Sequence, residues 1–349
     1  MSFSKRDTNI VKGVAIIAML FHHTYPNNTG IPIINTENVS VLLILATSSK
    51  ICVALLTILS GYGLRESYKK FETYEGKFKN ARFVFSHYLQ LLSLYWVVVL
   101  FCLCTTYMQT GKGFSLYGSG ITGFVYCLLD MLGLGMVFHT PILIGGWYLT
   151  AIVVFYILFP ILVILVKKIG LLFVGVTYLP WIYYLVQKDY NMHTDWWLFY
   201  LFSFVLGIYL SEKNILTKWK EASSIKTGTF SVVFLGAMLI VRCFIALPAD
   251  PFLSVAIIGL EVQVLSKISI INNLLEKCGA MSANMWLIHP FIIEKLNNLE
   301  LGMRTFVDYT GKFMILFIVS IGMAILLEDL KKQIGYSEIV IKLRKKIIS

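Results

Sequence analysis

Two residues near the start of the chain, Lys12 and His23, have the types and the spacing to serve one reaction. Eleven positions make three helical turns almost without remainder, so on an α-helix both lie on one face, about 16 Å apart along the axis. His22 points roughly 80° away. A cation at that distance from an imidazole suits an elongated thioester donor. Its phosphates would meet Lys12 while its acyl end reaches His23, because an extended pantetheine arm has comparable length. A neutral imidazole, with an ordinary pKa of about 6.5, can take the proton of a hydroxyl as that hydroxyl attacks the thioester carbonyl. The plainer alternative stays open: Lys12 as a charge anchor at one membrane face and the histidines as interfacial residues at the other.

Other residues could join such a site. Ser60-Gly61 either shapes it or lets two helices approach closely. Arg65, Lys69, Lys70 and Arg82 are dense enough beside a donor entrance to expect a phosphate contact, with Arg65 and Arg82 foremost. Trp147 fits an interface belt as readily as a site wall. His289 precedes Pro290 within an apolar run, where a ring nitrogen needs a partner or a substrate. Lys50, Glu261 and Asp130 are further ionisable groups in apolar stretches, and Lys50 and Glu261 could pair or line a pore. His87, His139 and His193 form no metal-ligand spacing, and the six cysteines show no CxxC pair, so no metal site is expected.

These residues must be positioned by membrane helices. Of the 349 residues, 57% are hydrophobic and only 14% charged, a balance no soluble domain of this length could hide from water. The formal net charge of +11 belongs to loops and helix ends rather than to a nucleic-acid surface. The apolar runs predict an all-α, polytopic integral membrane protein with about ten transmembrane helices. They lie near 10–25, 41–63, 83–107, 147–166, 169–187, 196–211, 228–246, 252–266, 279–297 and 311–328. Segments 65–82, 166–168, 211–226 and the stretch after 328 are rich in Lys and Arg, and the alternate loops are poor in them. Both termini are therefore expected in the cytoplasm. The first apolar run mimics a signal peptide, but His22-His23 stands where a cleavage site should be, so it is read as an uncleaved span. Segment 121–138 is apolar but carries Asp130 and several glycines, and is expected to be re-entrant or interfacial. Residues 1–330 are read as one transmembrane domain and 331–349 as a basic cytoplasmic tail.

Several motifs carry a family resemblance. Lys12, ten intervening residues and His23 resemble the opening motif of the acyltransferase 3 family of membrane O-acyltransferases. Leu59-Ser60-Gly61-Tyr62-Gly63-Leu64 followed by Arg65 resembles its "SGF" motif, and Arg82 lies where the family has a second loop arginine. Gly146-Trp147-Tyr148-Leu149-Thr150, with Tyr156 and Pro160, resembles its "WFL…Y…P" helix. Met285-Trp286-Leu287-Ile288-His289-Pro290 is similar to its late "Y-L-x-H-P" motif. The sequence departs from the pattern at Lys12 for Arg, at Tyr62 for Phe, and at Met285-Trp286. Lys in place of Arg offers phosphate a point charge rather than a bidentate fork.

The resemblance implies an acyl-CoA-dependent O-acyltransferase of the cell membrane, with acetyl-CoA as the usual donor. The acceptor it implies is a carbohydrate: exopolysaccharide, capsule, peptidoglycan or a lipid-linked sugar. His23 is the expected catalytic residue. Lys12, Arg65, Arg82, Ser60, Gly61, Trp147 and His289 are the expected substrate and CoA contacts. The competing function is a transporter or flippase for a lipid-linked saccharide, which would use the same intramembrane charges as a path.

Overall fold

A computed structural model describes residues 3–25, 31–35, 40–137, 146–188, 197–297 and 306–348. His139 and His193 lie outside the described residues. Among the described residues every regular element is helical. In chain order they are α1 (Lys5–Thr24), α2 (Val41–Ser48), α3 (Cys52–Phe71), α4 (Lys79–Thr110), α5 (Gly120–Met131), α6 (Gly146–Ile169), α7 (Leu171–Val176) and α8 (Leu179–Gln187). There follow α9 (Trp197–Glu212), α10 (Ile215–Glu221), α11 (Ile225–Ile245), α12 (Asp250–Gln263), α13 (Ser269–Ala280), α14 (Ser282–Asn297), α15 (Phe306–Gln333) and α16 (Tyr336–Ile348).

Each of the ten apolar runs is helical, but six helical stretches are long and apolar enough on their own to cross a membrane. They are Val41–Phe71, Lys79–Thr110, Gly146–Ile169, Ile225–Ile245, Leu247–Lys267 and Val307–Gln333. The first run, α1, has 20 residues but is not apolar enough along them to be among these six. It begins with a capping box in which the Ser4 hydroxyl accepts from the Asp7 amide while the Asp7 carboxylate accepts from the Ser4 amide, which ties down two otherwise orphaned donors. α5 has 12 residues and so spans about 18 Å, well short of a hydrocarbon core of about 30 Å. Its buried Asp130 accepts hydrogen bonds from the Tyr95 hydroxyl at 2.5 Å and the Tyr117 hydroxyl at 2.6 Å, so both carboxylate oxygens are met inside the protein.

α1 lies in the middle of the bundle, packed on α3, α12, α13, α14 and α15. Its closest partner is α13, where Gly13 faces the Leu275 carbonyl and Gly279 faces the Asn9 carbonyl with no room for a Cβ at either position. α3 and α9 meet in the same way. A Cβ on Gly61 would run into the Phe204 carbonyl, and one on Gly207 into the Ile58 carbonyl.

The charge-rich segments meet at one end of the bundle. Arg65 pairs with Glu212 at 2.6 Å and Glu72 at 3.3 Å, Lys167 with Glu72 at 2.6 Å, and Lys220 with Asp7 at 2.6 Å. Burial raises the Glu72 carboxyl, but the hydrogen bond from Lys167 and the charge of Arg65 outweigh it and hold the group below the ordinary carboxylate range. Of the basic stretch 331–349, expected as a tail, residues 331–348 form the end of α15 and then α16, which packs along α4.

Candidate active site

α1, α3, α4, α6 and α14 enclose a chamber of about 270 Å³ into which Lys12, Ser60, His87, Gln90, Tyr156 and Ser282 project. A second chamber, of about 240 Å³, is lined by His22, His23, Lys50, Cys52, Trp147 and His289. Leu56, Tyr148 and Trp286 stand in both walls. The single cavity expected between Lys12 and His23 is therefore two chambers in series that share three apolar side chains. The two aromatic members meet edge to face, their ring centroids 5.1 Å apart, and the Thr57 hydroxyl bonds to the Tyr148 hydroxyl at 3.2 Å.

Three imidazoles gather in the second chamber. His23 is open to it, and its ring lies 4.9 Å from that of His22 and 4.9 Å from that of His289. The two outer rings are buried and tied to the backbone. His22 Nδ1 donates to the Ala46 carbonyl at 3.2 Å, and His289 Nδ1 donates to the Trp286 carbonyl at 2.6 Å. A carbonyl oxygen can only accept, so both rings, when neutral, carry the proton on Nδ1 and the lone pair on Nε2. The second bond depends on Pro290. A helical residue at 290 would normally donate its amide to the carbonyl of 286, and proline has none to give. The His-Pro pair thus frees the carbonyl that locks the histidine.

Lys50 is the cation of this chamber. It sits in the short 3₁₀ turn between α2 and α3, with Nζ 5.6 Å from the centre of the Trp147 ring. No carboxylate lies within ion-pair distance of it among the described residues, and neither chamber has an acidic side chain in its described wall. Glu261, a partner considered for Lys50, is fully buried elsewhere and lies close enough to Asp7 and Lys220 to sense their charges.

The structure divides the residues expected from the sequence. Lys12 and Ser60 face the first chamber; His23, Trp147 and His289 face the second. Gly61 backs onto α9 and serves the helix crossing. Arg65 is only 2% exposed, is neutralised by Glu212 and Glu72, and borders neither chamber. Arg82 is half-buried in the first turn of α4, outside both walls. Missed at the sequence level were Leu56, Tyr148 and Trp286 as a shared partition, and His87, Gln90 and Ser282 as wall residues. Tyr148 and Trp286 stand inside the two family-like motifs without being singled out there, and the others carry no signal beyond a helical position facing inward. Lys50 did have a signal, a charge within an apolar run, but its partner is a tryptophan ring.

No curated protein and no solved structure matches the chain. A model of the acyltransferase domain of the acyltransferase 3 family matches residues 6–329 of the 349. That span takes in α1 with its Lys12 and His23, both chambers and the His-Pro turn of α14. The chain belongs to the acyltransferase 3 family, and it is a multi-pass membrane acyltransferase.

Proposed function

We propose that the protein transfers an acetyl group from cytoplasmic acetyl-CoA to a hydroxyl of a cell-surface or lipid-linked carbohydrate. One observation carries this reading: Lys12 and His23, three turns apart on α1, open on two chambers that share Leu56, Tyr148 and Trp286. The donor's pantetheine arm lies in the Lys12 chamber and presents its thioester at the partition. The acceptor hydroxyl enters the His23 chamber. As its oxygen bonds to the carbonyl carbon, His23 takes the hydroxyl proton and the carbonyl π pair moves onto oxygen. The Lys50 ammonium faces that developing charge, with no carboxylate within ion-pair distance of it among the described residues. Collapse re-forms the carbonyl and breaks the C–S bond, and the thiolate recovers the proton from the His23 imidazolium, leaving an ester and free CoA thiol.

The placement in the membrane follows from charge. The ion pairs that join α3, α6, α9, α10 and the start of α1 gather the basic segments at one end. Basic loops are retained in the cytoplasm, so this end, with the Lys12 chamber, faces the CoA pool, and ten crossings put both termini there.

The test uses purified protein in lipid with radiolabelled acetyl-CoA and an envelope-glycan extract. Label should pass to glycan with wild type and not with His23→Ala. Movement of unmodified saccharide without consumption of acetyl-CoA would overturn the reading in favour of a transporter. Label retained on the wild-type protein would indicate an acyl-histidine relay instead of direct attack.

A further inference from the structure

α16 lies beyond the residues that the family model matches, yet it is docked on α4 by specific polar contacts. The Tyr336 hydroxyl donates to the Ser93 carbonyl at 3.0 Å. Arg344 Nε donates to the Ser86 carbonyl at 3.0 Å and to the Ser86 hydroxyl at 3.2 Å. A guanidinium has five N–H donors, and this contact uses only the one on Nε. Among the described residues, the two Nη groups make no hydrogen bond, and no carboxylate pairs with the half-buried charge. Arg344 is held by its neck, with its charged fork free.

The place where it is held gives that fork a use. Ser86 is fully buried and is followed by His87, with Gln90 one turn further on, and both of these line the Lys12 chamber. The Arg344 charge is felt at His87 and at Tyr156, another residue of the same wall. Arg82 stands one turn before Ser86 on the same stripe of α4, and it too has no ion pair among the described residues. Lys12 projects into the chamber itself. Among the described residues none of these three cations has a carboxylate partner: Lys12 lines the chamber, whose described wall has no acidic group, while Arg82 and Arg344 stand behind that wall, on α4 and against it. This is an arrangement that an anion would stabilise.

We infer that α16 completes the donor site: Arg344, with Arg82 one turn before its Ser86 anchor, binds the phosphates of the CoA whose pantetheine arm occupies the Lys12 chamber. The inference rests on the acyl-CoA reading above. It assigns a ligand-binding role to a helix outside the matched family domain. It also gives the site the bidentate phosphate fork that Lys12 cannot supply. The phosphate headgroup of an anionic lipid shares this chemistry, and the experiment separates the two sources.

Full-length protein in phosphatidylcholine nanodiscs would be titrated with CoA and, separately, with pantetheine, which lacks the phosphates. Arg344→Gln keeps an N–H that can reach the Ser86 carbonyl and removes the charge. It should weaken CoA binding about tenfold or more and leave pantetheine binding within about twofold. Tyr336→Phe loosens the docking without touching the charge, and should lower the thermal midpoint more than the CoA affinity. Unchanged CoA affinity in Arg344→Gln would overturn the inference, as would an equal loss for both ligands or the same profile in both variants. If adding phosphatidylglycerol stabilises wild type but not Arg344→Gln while CoA binding is unaffected, the occupant is a lipid headgroup. Wild type that binds CoA tightly but transfers no acetyl would refute the proposed function while leaving the phosphate assignment standing.

Discussion

His289 donates its Nδ1 proton to the carbonyl of Trp286 at 2.6 Å, across the helical turn in which Pro290 has no amide to offer. The bond fixes the ring's tautomer beside His23, and it couples the histidine chamber to Trp286, a member of the partition.

Restoring the missing amide should loosen that ring. In Pro290→Ala the new N–H competes for the Trp286 carbonyl, and His289 loses its fixed tautomer. The expected result is a roughly tenfold fall in kcat with little change in thermal midpoint, and His289→Ala should fall further. Kinetics and melting curves on the same preparations decide it.

Removing the proposed base should cost far more than removing its neighbour. His23→Ala is expected to lower the rate of acetyl transfer about 10²- to 10⁴-fold in a folded protein. A residual rate within tenfold of wild type would show that another group takes the hydroxyl proton. His22 is bound to Ala46 and buried, so His22→Ala should act mainly on stability.

On the proposed path the partition should set how bulky a group can reach His23. Trp286→Leu removes the edge-to-face contact with Tyr148 and widens the passage between the chambers. Turnover with butanoyl-CoA relative to acetyl-CoA should rise about tenfold, the scale expected when a pocket gains room for one or two methylenes. Competition assays with mixed donors measure the ratio directly.

Two residues of the "SGF"-like segment should fail for structural reasons. Gly61→Val drives a side chain into the Phe204 carbonyl at the α3–α9 crossing and should cost about 1–3 kcal/mol or prevent assembly. Arg65→Ala leaves Glu212 and Glu72 without their shared cation and should cost on the order of 3 kcal/mol. In both, thermal unfolding should shift while acetyl-CoA affinity of the folded fraction stays near wild type. A large loss of affinity in Arg65→Ala without destabilisation would return that arginine to the donor site.

Much of this was legible in the sequence because it rests on local periodicity. The three-turn spacing of Lys12 and His23 placed both on one face of α1, and α1 is the helix around which the bundle packs. The basic segments were legible as one group because charge is excluded from apolar spans, and their ion pairs now join them. The partition was not legible. Leu56, Tyr148 and Trp286 come from three different helices, and although the last two sit in family-like motifs, nothing in the sequence joins the three until the helices are assembled. The ion pairs of Arg65 were not legible for a related reason: a basic residue in a charged loop looks the same in sequence whether or not carboxylates from α9 and the end of α3 neutralise it. Arg344 was hidden in what reads as a surplus of positive charge, because the contact that singles it out comes from Ser86, far away in the chain.

Chambers in series have a kinetic signature. If donor and acceptor occupy opposite sides of Leu56, Tyr148 and Trp286, as proposed, neither has to vacate its place before the other arrives, and the two can be resident together. Initial rates measured across a grid of both substrate concentrations should then give intersecting double-reciprocal lines. Spent CoA should compete with fresh acetyl-CoA while leaving the carbohydrate free to bind.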